Sequence, residues 1–148
     1  MREKHIIKET GNKGKGLYSR QKYSSGNIVL ALEGNYFPNP TRTSIQLTNE
    51  KHVESWEGGH VNHHCLPNTK VVVEQGELFS IGYLVAIQDI EIGEQITFDY
   101  ETTETEMAEP FKCSCHGRWI RGKDYQSNLM VDEGGMDYSG AFESDIEE

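Results

Sequence analysis

Asn62-His63-His64-Cys65-Leu66-Pro67-Asn68 and, 25 residues further on, Gly93-Glu94-Gln95-Ile96-Thr97-Phe98-Asp99-Tyr100 are the stretches that decide how this chain is read. The first puts two amides, two imidazoles, a thiol and a proline into seven positions. That density of hydrogen-bonding and ligand groups is foreign to ordinary sheet sequence. The second alternates, with Ile96, Phe98 and Tyr100 on one face of a strand-like run that closes on the tyrosine. Near the start, Lys13-Gly14-Lys15-Gly16-Leu17-Tyr18 forms a Gly-x-Gly turn. Glycine permits positive φ and lets backbone approach a ligand closely. No third glycine opens a helix behind it, which excludes a dinucleotide fingerprint.

Around these stretches the signals are those of short strands. Ile6-Ile7, Leu17-Tyr18, Asn27–Leu32, Thr43–Leu47, Val71-Val72-Val73, Tyr83–Ile87 and Glu94–Tyr100 are apolar, β-branched or alternating, with Gly, Ser and Asn between them. Seven such runs predict a mostly β fold with little helix. Glu101 to Glu109 could add a helical turn or two before Pro110. A length of 148 residues accommodates one compact domain with a core.

Net charge is -10, unevenly placed: residues 124–148 carry eight acids and no Lys or Arg, which leaves 16 acids against 14 bases in residues 1–123. A near-neutral body without clustered Lys and Arg argues against direct nucleic-acid binding. The acidic stretch is expected to stay mobile unless a partner holds it; it favours a basic protein partner or simply keeps the chain soluble. The charged start, Met1-Arg2-Glu3-Lys4-His5, is followed by no long apolar run, so neither a secretory signal nor a membrane span is expected. Three cysteines, two of them in Cys113-Ser114-Cys115, suit reduced thiols in a cytoplasmic or nuclear setting, not a secreted one.

Taken singly, a Gly-x-Gly is a turn, a polar Asn-His run can satisfy its own backbone, and a tyrosine can end a strand. In this order and together, the three stretches resemble the motifs of the SET-domain protein-lysine methyltransferases. The resemblance covers residues 5–123 and takes in Ser24-Ser25-Gly26-Asn27-Ile28-Val29 and the Met107–Phe111 lead-in of small stand-alone members. It implies a β-clip-like fold of short sheets with a knot-like centre. Residues 1–100 would form the SET core, 101–123 a shortened post-SET-like segment, and 124–148 an appendage.

The resemblance also implies S-adenosylmethionine as cofactor, lying against Gly14, Lys15, Gly16 and Leu17, held by Asn62 and His63, and covered by Trp119. Tyr100 would be the catalytic residue, and Phe98 would shape the substrate channel, leaving room for more than one methyl group. The substrate would be a lysine in a basic protein. Free lysine has a pKa near 10.4, and an apolar channel beside a sulfonium favours the neutral amine. A tyrosine hydroxyl then acts as a positioner more than as a base. Post-SET segments bring cysteines to the motif cysteine around one structural zinc, and Cys65, Cys113 and Cys115 fall on those positions. The last cysteine of the pattern is absent, with His116 the nearest substitute and His64 or His60 the others.

Departures from the family pattern are Gly59-His60, where an Arg-aromatic pair is usual, and His64, where serine is usual. Together with the incomplete cysteine set they leave a second reading open: a non-catalytic module that keeps the fold and binds a protein partner or zinc.

Overall fold

The computed structural model of this chain describes residues 3–11 and 14–123. Lys13 and the acidic stretch 124–148 lie outside them. Among the described residues are twelve short strands: β1 (His5–Glu9), β2 (Lys15–Ser19), β3 (Ile28–Leu32), β4 (Gly34–Phe37), β5 (Ile45–Thr48), β6 (Lys51–Ser55), β7 (Asn62–His63), β8 (Thr69–Gln75), β9 (Ser80–Ala86), β10 (Thr97–Phe98), β11 (Phe111–Lys112) and β12 (Trp119–Ile120). Among the described residues up to 122, helix is confined to single 3-10 turns at Gly58–His60 and Tyr100–Thr102. The mostly β class and the small sheets match the sequence reading.

Two three-stranded antiparallel sheets, in the orders β3-β9-β8 and β4-β6-β5, pack around one core. Leu32, Val53 and Leu84 are fully buried where the sheets face each other. Gly82 allows this contact, because a Cβ there would lie 2.5 Å from Leu47 Cδ2. The β8–β9 hairpin runs in continuous register from Thr69↔Ala86 to Gln75↔Ser80. β3 takes a bulge between Ile28 and Leu30, which locally sharpens its twist.

The segment that places the site is 93–100. Its backbone is bonded on one side to β2, through Ile96 N–H to Leu17 O at 2.8 Å and Ser19 N–H to Glu94 O at 2.9 Å. On the other side β10 pairs in parallel with β7, Thr97 facing Asn62 and Phe98 facing His63. His64 N–H then donates to Phe98 O at 3.1 Å. The chain thus threads its second motif between the glycine turn and the first motif. Asn68 fastens the thread, since Oδ1 accepts from Thr97 N–H at 3.0 Å and Nδ2 donates to Gln95 O at 2.8 Å.

The expected strand through Tyr100 ends earlier. After Phe98 the Asp99 carboxylate accepts from Glu101 N–H at 3.0 Å, a side-chain cap that turns the chain into the 3-10 turn. Tyr100 therefore opens a turn and does not close a strand. That turn is all the helix found between Glu101 and Glu109.

Candidate active site and thiol cluster

The glycine turn and the first motif are joined through one amide. Asn62 Nδ2 donates to Lys15 O at 3.0 Å and to Gln95 Oε1 at 2.9 Å. Gly16 lies beneath this junction, and a Cβ there would come within 2.7 Å of Gln95 Oε1 and 3.0 Å of Asn62 Nδ2. Gly14 adopts φ +73, which Gly tolerates and other residues rarely do. Leu17, expected to lie against a ligand, sends its side chain into the core.

Tyr100 touches three spaces. The first is an open cleft of about 1020 Å³, lined also by Gly14, Lys15, Trp56, Asn62, Met107 and Phe111. The second is a narrow passage of about 40 Å³ beside Ile45, Val61, Phe98, Glu104 and Met107. The third, of about 190 Å³, lies between Asn62-His63 and Phe111–Ser114. The Tyr100 hydroxyl donates to Val61 O at 2.6 Å. Burial, with the Glu104 carboxylate adding to it, pushes the phenol well above its usual range. Tyr100 therefore keeps its proton at neutral pH and offers a hydroxyl donor.

His63 is buried against the rings of Tyr100 and Phe111, at 5.3 and 5.9 Å between centroids. Its Nδ1 accepts from Tyr100 N–H at 3.0 Å, and its Nε2 lies 3.3 Å from Cys65 Sγ. Phe98 is buried and packs on Tyr100 at 5.0 Å. Trp119, expected as cover, is 54% exposed and lines none of the three spaces. Phe111 lies over Tyr100 and His63 in its place. Sequence reasoning missed Phe111 as a site residue, although it quoted the lead-in that contains it. It also missed Trp56, which is 75% exposed at the end of β6 and braced edge-on by His60 at 4.8 Å.

The three cysteines converge, with Cys65 and Cys113 sulfurs 3.8 Å apart and Cys65 N–H donating to Cys115 Sγ at 3.4 Å. Among the described residues the ligand atoms of His63, Cys65, Cys113 and Cys115 all lie within 4.8 Å of one another. The imidazole beside the three sulfurs is thus His63 and not, as the sequence reading had it, His116. His63 and Cys65, two residues apart at the end of β7, both face the cluster, whereas His116 follows Cys115 within a turn and lies outside it. His116 instead meets the His64 ring edge-on at 6.2 Å. Burial pushes Cys65 up to about 12, with Arg118 working against it. For Cys113, burial also raises the thiol, but hydrogen bonds to the backbone of Arg118 and His116 outweigh it and bring the value below normal. The donor set suits zinc, whose Zn–S bonds of about 2.3 Å make a tetrahedral edge of about 3.8 Å.

One buried carboxylate holds the last segment in place. Glu101 accepts from Arg118 Nη1 at 2.8 Å, Arg121 N–H at 2.8 Å and Gly122 N–H at 3.1 Å. Burial works against the Arg118 charge, but Glu101 and the Cys65 sulfur outweigh it and raise its pKa. Residues 111–122 are thereby tied to the turn that begins at Tyr100.

A β-domain threaded through its own ligand motif, with a tyrosine where three spaces meet, defines a narrow class of protein. A sequence profile of the SET domain matches residues 5–101, and the chain belongs to the SET-domain family. Among solved structures it is similar to a Plasmodium falciparum protein described as a "putative histone methyltransferase", with TM-score 0.57 and 18% identity. That alignment covers 68% of this chain and 95% of the other, and it is a likeness of fold. Comparison with curated proteins found no match. No helix among the described residues is long and apolar enough to cross a membrane.

Proposed function

We propose that this chain is an S-adenosylmethionine-dependent protein-lysine methyltransferase with Tyr100 as its catalytic residue. The observation that carries this reading is that Tyr100 belongs both to the wide cleft and to the narrow passage. A cofactor-sized space and a side-chain-sized space meet at one phenol. The residues present suit the cofactor. Gly14 and Lys15 offer backbone, Asn62 an amide, and Phe111 an apolar cover, while the buried His63 ring holds Tyr100 in place. When bound, the cofactor supplies an electrophilic methyl group on a sulfonium.

The chain's own part is alignment and desolvation. Burial against Ile45, Val61, Phe98 and Met107 disfavours an ammonium, although Thr43, Ser44 and Glu104 also line the passage. Holding nucleophile and methyl donor in line supplies about 7–11 kcal/mol. The Tyr100 hydroxyl, the Val61 carbonyl beside it and the Glu104 carboxyl are among the polar groups available to orient the amine. Phe98 brings no hydroxyl to the passage, consistent with more than one methyl transfer per lysine. The substrate is a lysine-bearing, basic protein segment, and the three cysteines hold a zinc ion. Incubation with labelled cofactor and basic, lysine-rich proteins tests this: label on lysine is expected for the native chain and not for Tyr100→Phe. Equal labelling by both would remove Tyr100 from its role.

A further inference from the structure

We infer that a metal ion bound by Cys65, Cys113 and Cys115 has three protein ligands and one exchangeable position, with His63 serving as a hydrogen-bond donor to Cys65 and not as a ligand. This inference rests on the zinc reading above and specifies its coordination.

The deciding atom is His63 Nδ1. It accepts the Tyr100 backbone N–H at 3.0 Å. A neutral imidazole has one donor and one acceptor nitrogen, so Nε2 carries the proton. That proton is directed at Cys65 Sγ, 3.3 Å away. The Nε2 lone pair is therefore not available to an ion. Ligation through Nε2 would move the proton to Nδ1, against the Tyr100 N–H. Asp99 Oδ1, at 3.6 Å from Nδ1, is too distant to take a proton from it by a hydrogen bond.

A fourth thiolate is not to be had, because the chain has three cysteines. His64 accepts from Leu66 N–H through Nδ1 at 2.9 Å, and neither it nor His116 joins the group of convergent ligand atoms. Cys65 and Cys115 are only partly buried, so solvent reaches the cluster. Three thiolates around a divalent cation leave one negative charge, which the Arg118 guanidinium beside Cys65 offsets. With that charge balanced, the remaining position suits a small neutral donor such as water or imidazole. Structural zinc sites are closed by four protein ligands; an open position is the mark of a site that can exchange a ligand.

X-ray absorption at the zinc edge of the zinc-loaded full chain tests this without an activity assay. Three sulfur scatterers and one light scatterer, without the outer-shell pattern of an imidazole ring, are expected. Added imidazole should then introduce that pattern saturably, and the His64→Ala and His116→Ala variants should behave like the native chain. A ring pattern before imidazole is added, or no response to it, would overturn the open position while leaving the metal centre intact. Failure to take up stoichiometric zinc would overturn the centre itself and this inference with it.

Discussion

The backbone N–H of Tyr100 donates to Nδ1 of His63 across 37 residues of sequence. Through this bond the first motif fixes where the turn at Tyr100 begins, and the same ring leads on to the thiol cluster. Replacing His63 by Ala orphans a buried donor and removes a ring packed between Tyr100 and Phe111. The orphaned donor alone costs about 1–3 kcal/mol. Urea unfolding of His63→Ala should show at least that loss; an unchanged midpoint would mean that the turn does not depend on this bond.

Tyr100→Phe separates positioning from folding. The hydroxyl-to-Val61 bond is worth about 1 kcal/mol of stability, so the variant should fold and bind cofactor within a few-fold of the native chain. Its methyl-transfer rate should fall by about 100-fold or more, the scale seen when one oriented donor is removed from a reacting centre. Stopped-time transfer assays beside calorimetric binding check both halves.

Glu101 and Arg118 should respond unequally. Arg118→Ala removes a charged donor from the buried Glu101 carboxylate, which keeps its bonds from Arg121 and Gly122 N–H, at a cost of about 1.5–3 kcal/mol. Glu101→Gln keeps an acceptor and leaves Arg118, whose side chain is 39% exposed, able to reach water. It should cost less. Denaturation of the two variants, with proteolysis to monitor loosening of 111–122, reads the difference; equal effects would deny that burial of Glu101 sets the asymmetry.

Gly16→Ala should weaken cofactor binding by about tenfold while the protein still folds. The new Cβ meets the movable ends of Gln95 and Asn62, so these side chains must shift, at a packing cost of about 1–3 kcal/mol. Calorimetric titration beside thermal unfolding measures the two effects.

The acid side of the stability profile has a definite sign. Burial raises the Glu104 carboxyl above its ordinary 4.5, despite bonds from Gln46 N–H and Thr103. The folded state then holds a proton that the unfolded state has released. Stability should fall as pH climbs from about 4.5 through the raised value, and level off above it. Glu104→Gln should flatten that decline in urea midpoints measured across the same window; an unchanged slope would assign it to another group.

The motifs were legible because their chemistry requires particular side chains: Asn62, Tyr100, the glycine turn and all three cysteines were named from residue type and order, and the fold brings them to one cleft and one cluster. Strands were legible where β-branched or aliphatic runs exist, as in Val71-Val72-Val73. β4 (Gly-Asn-Tyr-Phe) and β6 (Lys-His-Val-Glu-Ser) were hidden, since Gly34 and Asn35 open the first, polar residues dominate the second, and the two are strands by virtue of pairing. β7 is two residues inside a motif read for its ligands. His116 was named beside the thiols, and His63 was not, because sequence adjacency stood in for space. Glu101 gave no signal at all, because its partners lie 17 to 21 residues away.

Calorimetric titration of the folded, zinc-loaded protein with S-adenosylmethionine, repeated with the demethylated product, tests the proposed activity most directly. Saturable one-to-one binding of both is expected from a cleft that Asn62, Gly14 and Tyr100 share. No heat of binding at millimolar ligand would contradict the methyltransferase reading and favour a SET-domain module that binds a protein partner.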